Sequence, residues 1–143
     1  MFIGEYQHSL DDKGRLFMPA KFREELGPRF VVTRGFDRCL FVFPLTTWQS
    51  LNEQMQKLSL GSPEARAFLR LFFAGASECE VDKQGRILLP PYLREHAQLQ
   101  GECAVIGVSN RVEIWDRALW ESFREKAAEA YETVAEKLIG MGL

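Results

Sequence analysis

The sequence predicts a mixed α/β protein, mainly β, in which one module occurs twice. Two observations indicate the duplication. Residues Asp11–Pro19 return seventy-one positions later as Asp82–Pro90, and both copies read Asp-x-x-Gly-Arg, then three apolar residues, then proline. Farther along, Val31–Gly35 matches Cys103–Gly107 at a spacing of seventy-two, which a single inserted residue explains. A repeat of this length determines the architecture before any single element is considered.

The first module is predicted to begin with a β-hairpin. Residues 2–10 and 15–18 form its strands and Asp11–Gly14 its turn, because the glycine tolerates a positive φ. A short helix then runs from Ala20 to Leu26 and stops at Gly27. Two further strands, rich in Val, Phe and Leu, are predicted at 30–34 and 39–43.

Two helices are predicted between the modules. Thr46 and Gln49 have the spacing of a capping box, and the helix behind them is predicted to end near Gly61. Ser62, followed by proline and glutamate, is a strong start for a second helix. That helix carries a crowded apolar set that must be buried: Phe68, Leu69, Leu71, Phe72 and Phe73.

The second module is predicted to repeat the order of the first, with a short helix from Pro91. Its strands are predicted at 79–81, 86–89, 103–108 and 112–115. Asp116 can cap a last helix, which has glutamates on one side and an apolar stripe on the other. The stripe consists of Leu119, Phe123, Ala127, Ala130, Tyr131, Val134 and Leu138.

Size and charge limit how the modules can work. A chain of 143 residues that is 46% hydrophobic can bury a core, but a module of roughly 45 residues is marginal alone. We therefore expect the modules to share one core and the chain to form a homo-oligomer. The net charge of −2 argues against coating nucleic acid by bulk charge. Residues 1–76 carry ten basic and eight acidic side chains, and residues 77–143 carry eight and twelve, so any phosphate-binding face must be local.

The cysteines and the start of the chain argue against several classes. Cys39, Cys79 and Cys103 are odd in number and far apart, so we expect buried thiols in a reducing cytoplasm and no disulfide framework. Because no metal-ligand spacing occurs, we expect no metal and no organic cofactor. No basic start precedes an apolar run, and no 18-residue apolar stretch occurs, so neither secretion nor a membrane is indicated.

The two Asp-x-x-Gly-Arg turns are the candidate functional site. In one interpretation, the Asp and Arg form an ion pair that closes its own turn and contributes only about 0 to 1 kcal/mol. In the other, each Asp orients an Arg of a β-ribbon toward double-stranded DNA, because guanidinium suits both guanine and phosphate. Spacing alone leaves both open. With the lysines inside the turns, the candidate DNA-binding residues are Asp11, Lys13, Arg15, Asp82, Lys83 and Arg86.

Catalysis is the weaker hypothesis. The repeat-related Asp11 and Asp82 have the residue type of a proton-sharing acid/base pair, but an arginine four residues beyond each favours two ionised carboxylates. His8 and Ser9 are adjacent on a strand and point to opposite faces, so they cannot form a nucleophilic triad with Asp11. No Gly-rich phosphate loop is present. We therefore expect no enzyme and no small-molecule substrate.

Several longer motifs point to a family. The chain contains Met-Phe-x-Gly-Glu-Tyr, Pro-Ala-Lys-Phe-Arg, Thr-Arg-Gly-Phe-Asp and Val-Ile-Gly-Val-Ser-Asn-Arg besides the twin Asp-x-x-x-Arg motifs. Together they closely resemble the MraZ family of bacterial regulators with two SpoVT/AbrB-like domains. The resemblance implies two swapped-hairpin, double-psi barrel-like units packed as a pseudo-dimer, with helices added after each. It places AbrB-like domains at 5–47 and 76–119, and helical segments at 48–75 and 120–143.

The resemblance also implies a function. It implies a ring-forming transcriptional regulator, cytoplasmic and nucleoid-associated, that binds direct repeats in double-stranded DNA and usually represses its own operon of division and cell-wall genes. The family motif falls on Asp11 and Arg15, and again on Asp82 and Arg86. The alternative is an AbrB-like antitoxin or protein-interaction module, whose helices bind a protein partner. Such antitoxins commonly add a disordered tail, whereas here an amphipathic helix is predicted almost to the last residue.

Overall fold

The chain folds into a mixed arrangement of strands and helices. The computed structural model describes residues 1–142, so Leu143, the end of the predicted segment 120–143, lies outside the described residues. Within them are eight strands and five helices. In chain order these are β1 (Glu5–Ser9), β2 (Arg15–Phe17), α1 (Ala20–Leu26), β3 (Arg29–Arg34), β4 (Leu40–Pro44), α2 (Leu45–Met55), α3 (Pro63–Ala74), β5 (Ser77–Glu80), β6 (Arg86–Leu88), α4 (Pro91–His96), β7 (Glu102–Gly107), β8 (Val112–Asp116) and α5 (Arg117–Gly140).

The strands form one six-stranded antiparallel sheet and one two-stranded ribbon. The order in the sheet is β1-β7-β8-β4-β3-β5, and the ribbon pairs β2 with β6. Each outer strand of the sheet lies along a strand of the other module, β1 along β7 and β5 along β3. The two repeats are therefore interleaved, which confirms the mixed α/β class expected for tandem repeats with exchanged hairpins. The expectation that the protein is mainly β is wrong, because 42% of the chain is helix and 27% is strand.

The simple hairpin predicted from residues 2–10 and 15–18 is wrong in its pairing. β1 and β2 meet at the turn, where the N–H of Asp11 donates to the carbonyl of Arg15 at 2.9 Å. Beyond the turn each strand pairs with the second module instead. The corresponding strands of the second module, β5 and β6, diverge in the same way. Strand pattern alone does not reveal this, because a duplicated chain offers each strand two similar partners.

One core is shared by both modules, as expected. The four central strands, β3, β4, β7 and β8, are buried along most of their lengths because the sheet is covered on both faces. One face packs against the ribbon with α1 and α4, and the other packs beneath α2, α3 and the start of α5. In the crowded set on α3, Phe72 is buried and stacks on Trp48, with 5.4 Å between ring centroids, whereas Leu71 is exposed.

The helix starts were predicted with mixed success. The caps at Ser62 and Asp116 are confirmed, since their side chains accept hydrogen bonds from the N–H groups of Ala65 at 3.2 Å and Leu119 at 3.1 Å. The Thr46 capping box is wrong. Helix α2 begins directly after Pro44, whose φ of −57° is typical of proline. The helix has no side-chain cap and ends at Met55 rather than near residue 61.

All three cysteines are free and buried, as predicted. Burial raises the pKa of the thiols of Cys39 and Cys79, and it raises that of Cys103 to about 12. Burial therefore disfavours the thiolate, which is the reactive form of cysteine.

Leu16→Ala is expected to destabilise the fold by about 2–5 kcal/mol. Leu16 is fully buried and lies opposite Ile87, so truncation leaves a cavity where the two modules meet. Its neighbour Phe17 faces outward and is 44% exposed, which makes Phe17→Ala the matched control with a clearly smaller loss. Urea denaturation measures both free energies of unfolding. Equal losses would show that the ribbon does not contribute to the shared core.

Candidate nucleic-acid interface

The ribbon formed by β2 and β6 brings the two repeated arginines together on one surface. The strands are antiparallel, with Leu16 opposite Ile87. Both of these side chains are fully buried in the shared core. Because side chains alternate along a strand, the other four residues lie on the opposite, outer face of the ribbon. They are Arg15, Phe17, Arg86 and Leu88.

In the first turn, the carboxylate of Asp11 organises the approach to β2. Its Oδ1 accepts the backbone N–H groups of Lys13 at 3.0 Å and Arg15 at 2.8 Å. Its Oδ2 accepts Nε–H of Arg15 at 2.7 Å. These hydrogen bonds, the backbone bond from Arg15 foremost, lower the pKa of Asp11. The guanidinium is thus held through Nε, and its two Nη groups are left for another acceptor.

The second turn repeats the first. Oδ1 of Asp82 accepts the N–H groups of Gln84 and Arg86, each at 2.9 Å, and Oδ2 accepts Nε–H of Arg86 at 2.9 Å. The pKa of Asp82 is lowered for the same reason as in the first turn, with the Arg86 backbone bond the largest cause. Gln84 takes the position that lysine holds in the first turn, so Lys83 lies one step earlier. The turns are therefore alike in geometry and different in charge.

The two arginines differ in how far carboxylates neutralise them. Among residues 1–142, Asp11 is the one carboxylate within ion-pair distance of Arg15, whose side chain is 30% exposed. Arg86 contacts Asp82 at 2.9 Å and also Asp11, with 3.9 Å between Nη1 and Oδ2, and it is 21% exposed. An anionic ligand would meet less competition at Arg15. Lys13 is exposed beside this stronger position.

Each turn is braced by an arginine from the other module, a contact that the sequence reasoning missed. Gly14 and Gly85 have φ of +83° and +84°, which favours glycine. A Cβ at Gly14 would lie 2.7 Å from Cζ of Arg94, and one at Gly85 would lie 2.9 Å from Cζ of Arg23. The signal in the sequence was the recurrence of arginine at matching positions of the repeat.

The bracing arginines are themselves held unequally. Arg94 donates from Nε to the carbonyl of Leu89 at 3.0 Å. In residues 1–142, Nε of Arg23 is buried without a hydrogen-bond partner. Lys13 and Arg94 line one open cavity beside the first turn. Glu78 and Glu80 line the same cavity, so cations and carboxylates alternate beside the first turn.

The candidate residues that the sequence identified are therefore brought together. Both Asp–Arg pairs exist as ion pairs that close their own turns. The same pairs fix the direction of the arginines, so the two interpretations of the motif are compatible. The geometry provides two oriented guanidinium groups, flanked by exposed Lys13 and Lys83, on the outer face of a ribbon.

The lowered pKa values predict how the ion pairs respond to acid. A carboxyl group whose folded pKa lies below the ordinary 3.8 stabilises the fold above that value, and this contribution is lost as the pH falls through the folded pKa. We expect the contribution of these pairs to the thermal midpoint to be fully present and independent of pH between pH 5 and 8. Thermal melts of wild type and an Asp11→Asn, Asp82→Asn variant should converge only in the acid limb. A difference that grows from pH 5 to 8 would contradict the lowered pKa values.

Over residues 1–142, no group of three or more His, Cys, Asp or Glu side chains is placed to hold a metal ion. None of the helices there is both long enough and apolar enough to span a bilayer.

The fold and the paired turns define a tandem protein of the AbrB-like class. A sequence profile described as "MraZ protein, putative antitoxin-like" matches residues 1–71 and again residues 72–141. The chain belongs to the MraZ family. "Transcriptional regulator MraZ" of Desulfitobacterium hafniense (strain DSM 10664 / DCB-2) is 56% identical over 143 residues, and that of Heliobacterium modesticaldum (strain ATCC 51547 / Ice1) is 58% identical, each over the full length of both chains. The protein of that name from Pelotomaculum thermopropionicum is 55% identical, over 100% of this chain and 99% of its own. These names describe a regulator, which is not a class of enzyme.

Proposed function

We propose that this protein is a transcriptional regulator that binds specific sequences in double-stranded DNA through the outer face of the ribbon. The observation that carries the proposal is the pairing of β2 with β6, which sets Arg15 and Arg86 on one surface, each held at Nε by an aspartate. The relatives named as transcriptional regulators support the same class of function.

The chemistry of the ribbon suits the major groove. That groove is about 12 Å wide and admits a two-stranded β-ribbon. An arginine held at Nε presents two Nη groups, which can bind O6 and N7 of guanine or the oxygens of a phosphate. Because Asp11 and Asp82 already fix the guanidinium groups, less side-chain freedom is lost on binding. Exposed Lys13 and Lys83 supply contacts to the phosphate backbone.

The proposed assembly follows from the low DNA affinity expected of a single ribbon. A few basic contacts hold DNA weakly at physiological salt. We infer that the chain acts as a homo-oligomeric ring, in which linked ribbons raise the affinity through effective concentration. A ring of regularly placed ribbons suits direct repeats better than a palindrome. For DNA to reach several ribbons, either the DNA must bend or the ring must open. The target we propose, from the family resemblance, is the promoter of the protein's own division and cell-wall gene cluster. The protein would repress this promoter and act in the cytoplasm, in association with the nucleoid.

Binding to that DNA tests the function directly. Fluorescence anisotropy would compare the upstream region of the protein's own operon with a scrambled duplex of equal length and composition, across a salt series. We expect tighter binding to the upstream DNA at every salt concentration. Equal affinities for the upstream DNA and the scrambled duplex would show that the protein binds DNA without sequence specificity. If the protein bound neither duplex, the DNA-binding proposal would be wrong.

The oligomer is tested by light scattering at micromolar concentration. We expect a mass several times that of the monomer, because large apolar side chains on α3 and α5, such as Leu71 and Tyr131, are exposed in the single chain. A monomer at this concentration would contradict the ring.

A protein-binding module of the antitoxin type is the second candidate. It is favoured by the same uncovered helix surface on α5, which a protein partner of another sequence could cover. The neighbouring reading frame discriminates the two: a small toxin gene favours the antitoxin, whereas a methyltransferase and division genes favour the regulator.

A further inference from the structure

Most of α5 has no partner in its own chain. Its first turns pack on the body of the protein, where the rings of Trp120 and Phe123 lie 5.2 Å and 5.1 Å from the ring of Trp115. Beyond them the apolar side is uncovered, and Tyr131 is 73% exposed. Glutamates four residues apart repel one another along this helix, so packing by a partner is needed to stabilise its outer half. The uncovered side, here named the α5 stripe, consists of Ala127, Ala130, Tyr131, Val134, Ala135 and Leu138.

A second apolar surface lies open where α2 is followed by α3. Leu60, in the connection between the two helices, is 74% exposed. Arg66 donates from Nη1 to the carbonyl of Leu60 at 2.8 Å, which ties the connection to α3. The resulting cavity of about 380 Å³ is here named the α2–α3 groove. It is lined by Met55, Gln56, Leu58, Leu60, Leu69 and Phe73.

We propose that the α5 stripe of one copy docks into the α2–α3 groove of the next copy. This contact rests on the oligomer in the proposed function and assigns its interface. The two surfaces are both apolar, and their surroundings differ in charge. Residues 56–73 carry three basic side chains and one acidic side chain, whereas residues 125–137 carry four glutamates and two lysines. Opposite local charges favour bringing them together.

A symmetric contact is disfavoured by the same charges. Two α5 stripes facing each other would bring the glutamates of both copies into one interface, and two grooves would bring Arg66 and Arg70 together. A head-to-tail contact avoids both. It uses each surface once per subunit and continues from copy to copy until the rotation closes a ring.

Disulfide crosslinking between two populations of the full chain tests the pairing. One population carries Leu60→Cys in the groove and the other carries Val134→Cys in the stripe. Both positions are exposed, and the three natural cysteines are buried with raised pKa values, so the introduced thiols react first. We expect a crosslinked dimer in the mixture and almost none in either population alone. Glu24→Cys, exposed on α1, replaces either partner as the control.

The outcomes separate this interface from its alternatives. Crosslinks in the Val134→Cys population alone would show a symmetric contact between α5 helices and overturn the proposal. The proposal would also be overturned if the protein is oligomeric but the mixture of the two populations forms no crosslink. As a second measurement, Val134→Asp with Leu138→Asp should reduce the mass in light scattering to that of the monomer while circular dichroism shows the same helix content. If the double variant stays oligomeric, the stripe is not the interface.

Failure of the DNA-binding proposal would look different. A crosslinked ring that binds the upstream DNA no better than a scrambled duplex would leave the interface standing and remove the proposed function. Conversely, an oligomer that binds the upstream DNA specifically but crosslinks in the wrong combination would remove only the interface.

Discussion

Arg15→Ala is expected to weaken specific binding to the upstream DNA by about 1–3 kcal/mol, roughly 5- to 150-fold in Kd, if Arg15 contacts a base. If Arg15 contacts phosphate instead, the variant should lose affinity for all sequences alike and lower the salt slope by about one. The salt series therefore identifies the kind of contact. Oligomer mass should stay the same, because the ribbon packs on one face of the sheet and helices α2, α3 and α5 pack on the other.

Arg86→Ala should cause a smaller loss. Arg86 lies near two carboxylates, Asp82 at 2.9 Å and Asp11 at 3.9 Å, and belongs to the acidic half of the chain. More of its charge is already neutralised by the protein, so less is available to DNA. Anisotropy under identical salt conditions measures the difference between the two variants. A larger loss at Arg86 would show that the pseudo-symmetric ribbon meets DNA mainly with its second strand.

Two control variants sharpen this comparison. Arg15→Lys keeps the charge but removes the fork of donors, so it should restore phosphate binding and not bidentate guanine recognition. Arg29→Ala removes an exposed arginine that is also ion-paired, to Glu80 at 3.1 Å, but lies outside the ribbon, and it should bind like wild type. If Arg15→Ala and Arg86→Ala both bind like wild type as well, the Asp–Arg pairs only close their turns and DNA is contacted elsewhere.

The elements of the fold were largely predictable because their signals are local. The stop at Gly27 and the caps at Ser62 and Asp116 act within one helical turn of the residues they define. The Thr46 cap failed because Pro44 ends β4 where α2 begins and leaves no residues for a separate cap. Which strands pair is not a local property. The period of two that marks a strand is the same whether β2 pairs with β1 or with β6.

The candidate site shows the same division. The Asp–Arg pairs were predictable because each spans four residues and occurs twice in the chain. Their convergence on one ribbon depends on β2 pairing with β6, which the sequence reasoning did not predict. The contacts of Arg23 with Gly85 and of Arg94 with Gly14 cross between modules over more than sixty residues. Only their recurrence at matching positions of the repeat sets these two arginines apart from solvated surface residues.

Separating the chain between residues 75 and 76 is expected to unfold both halves as monomers. The cut leaves β1 without β7, β3 without β5, and β2 without β6. It also exposes fully buried side chains such as Leu16 and Ile87. Each such side chain contributes about 1.5–3 kcal/mol by burial, so exposing five of them costs about 7.5–15 kcal/mol, which is comparable with the 5–15 kcal/mol that stabilises a typical domain.

Mixing the two halves should restore the fold. Far-UV circular dichroism at low micromolar concentration should show no cooperative melt for residues 1–75 or 76–143 alone, and a cooperative melt for the equimolar mixture. The reason is that every exchanged strand then regains its partner, at an entropic cost for joining two chains that is smaller than the burial regained. Two copies of one half could instead form a homodimer with the same kinds of ribbon and sheet contacts. Such a dimer would melt at a midpoint that depends on concentration. A half that melts cooperatively as a monomer would contradict the interleaved core.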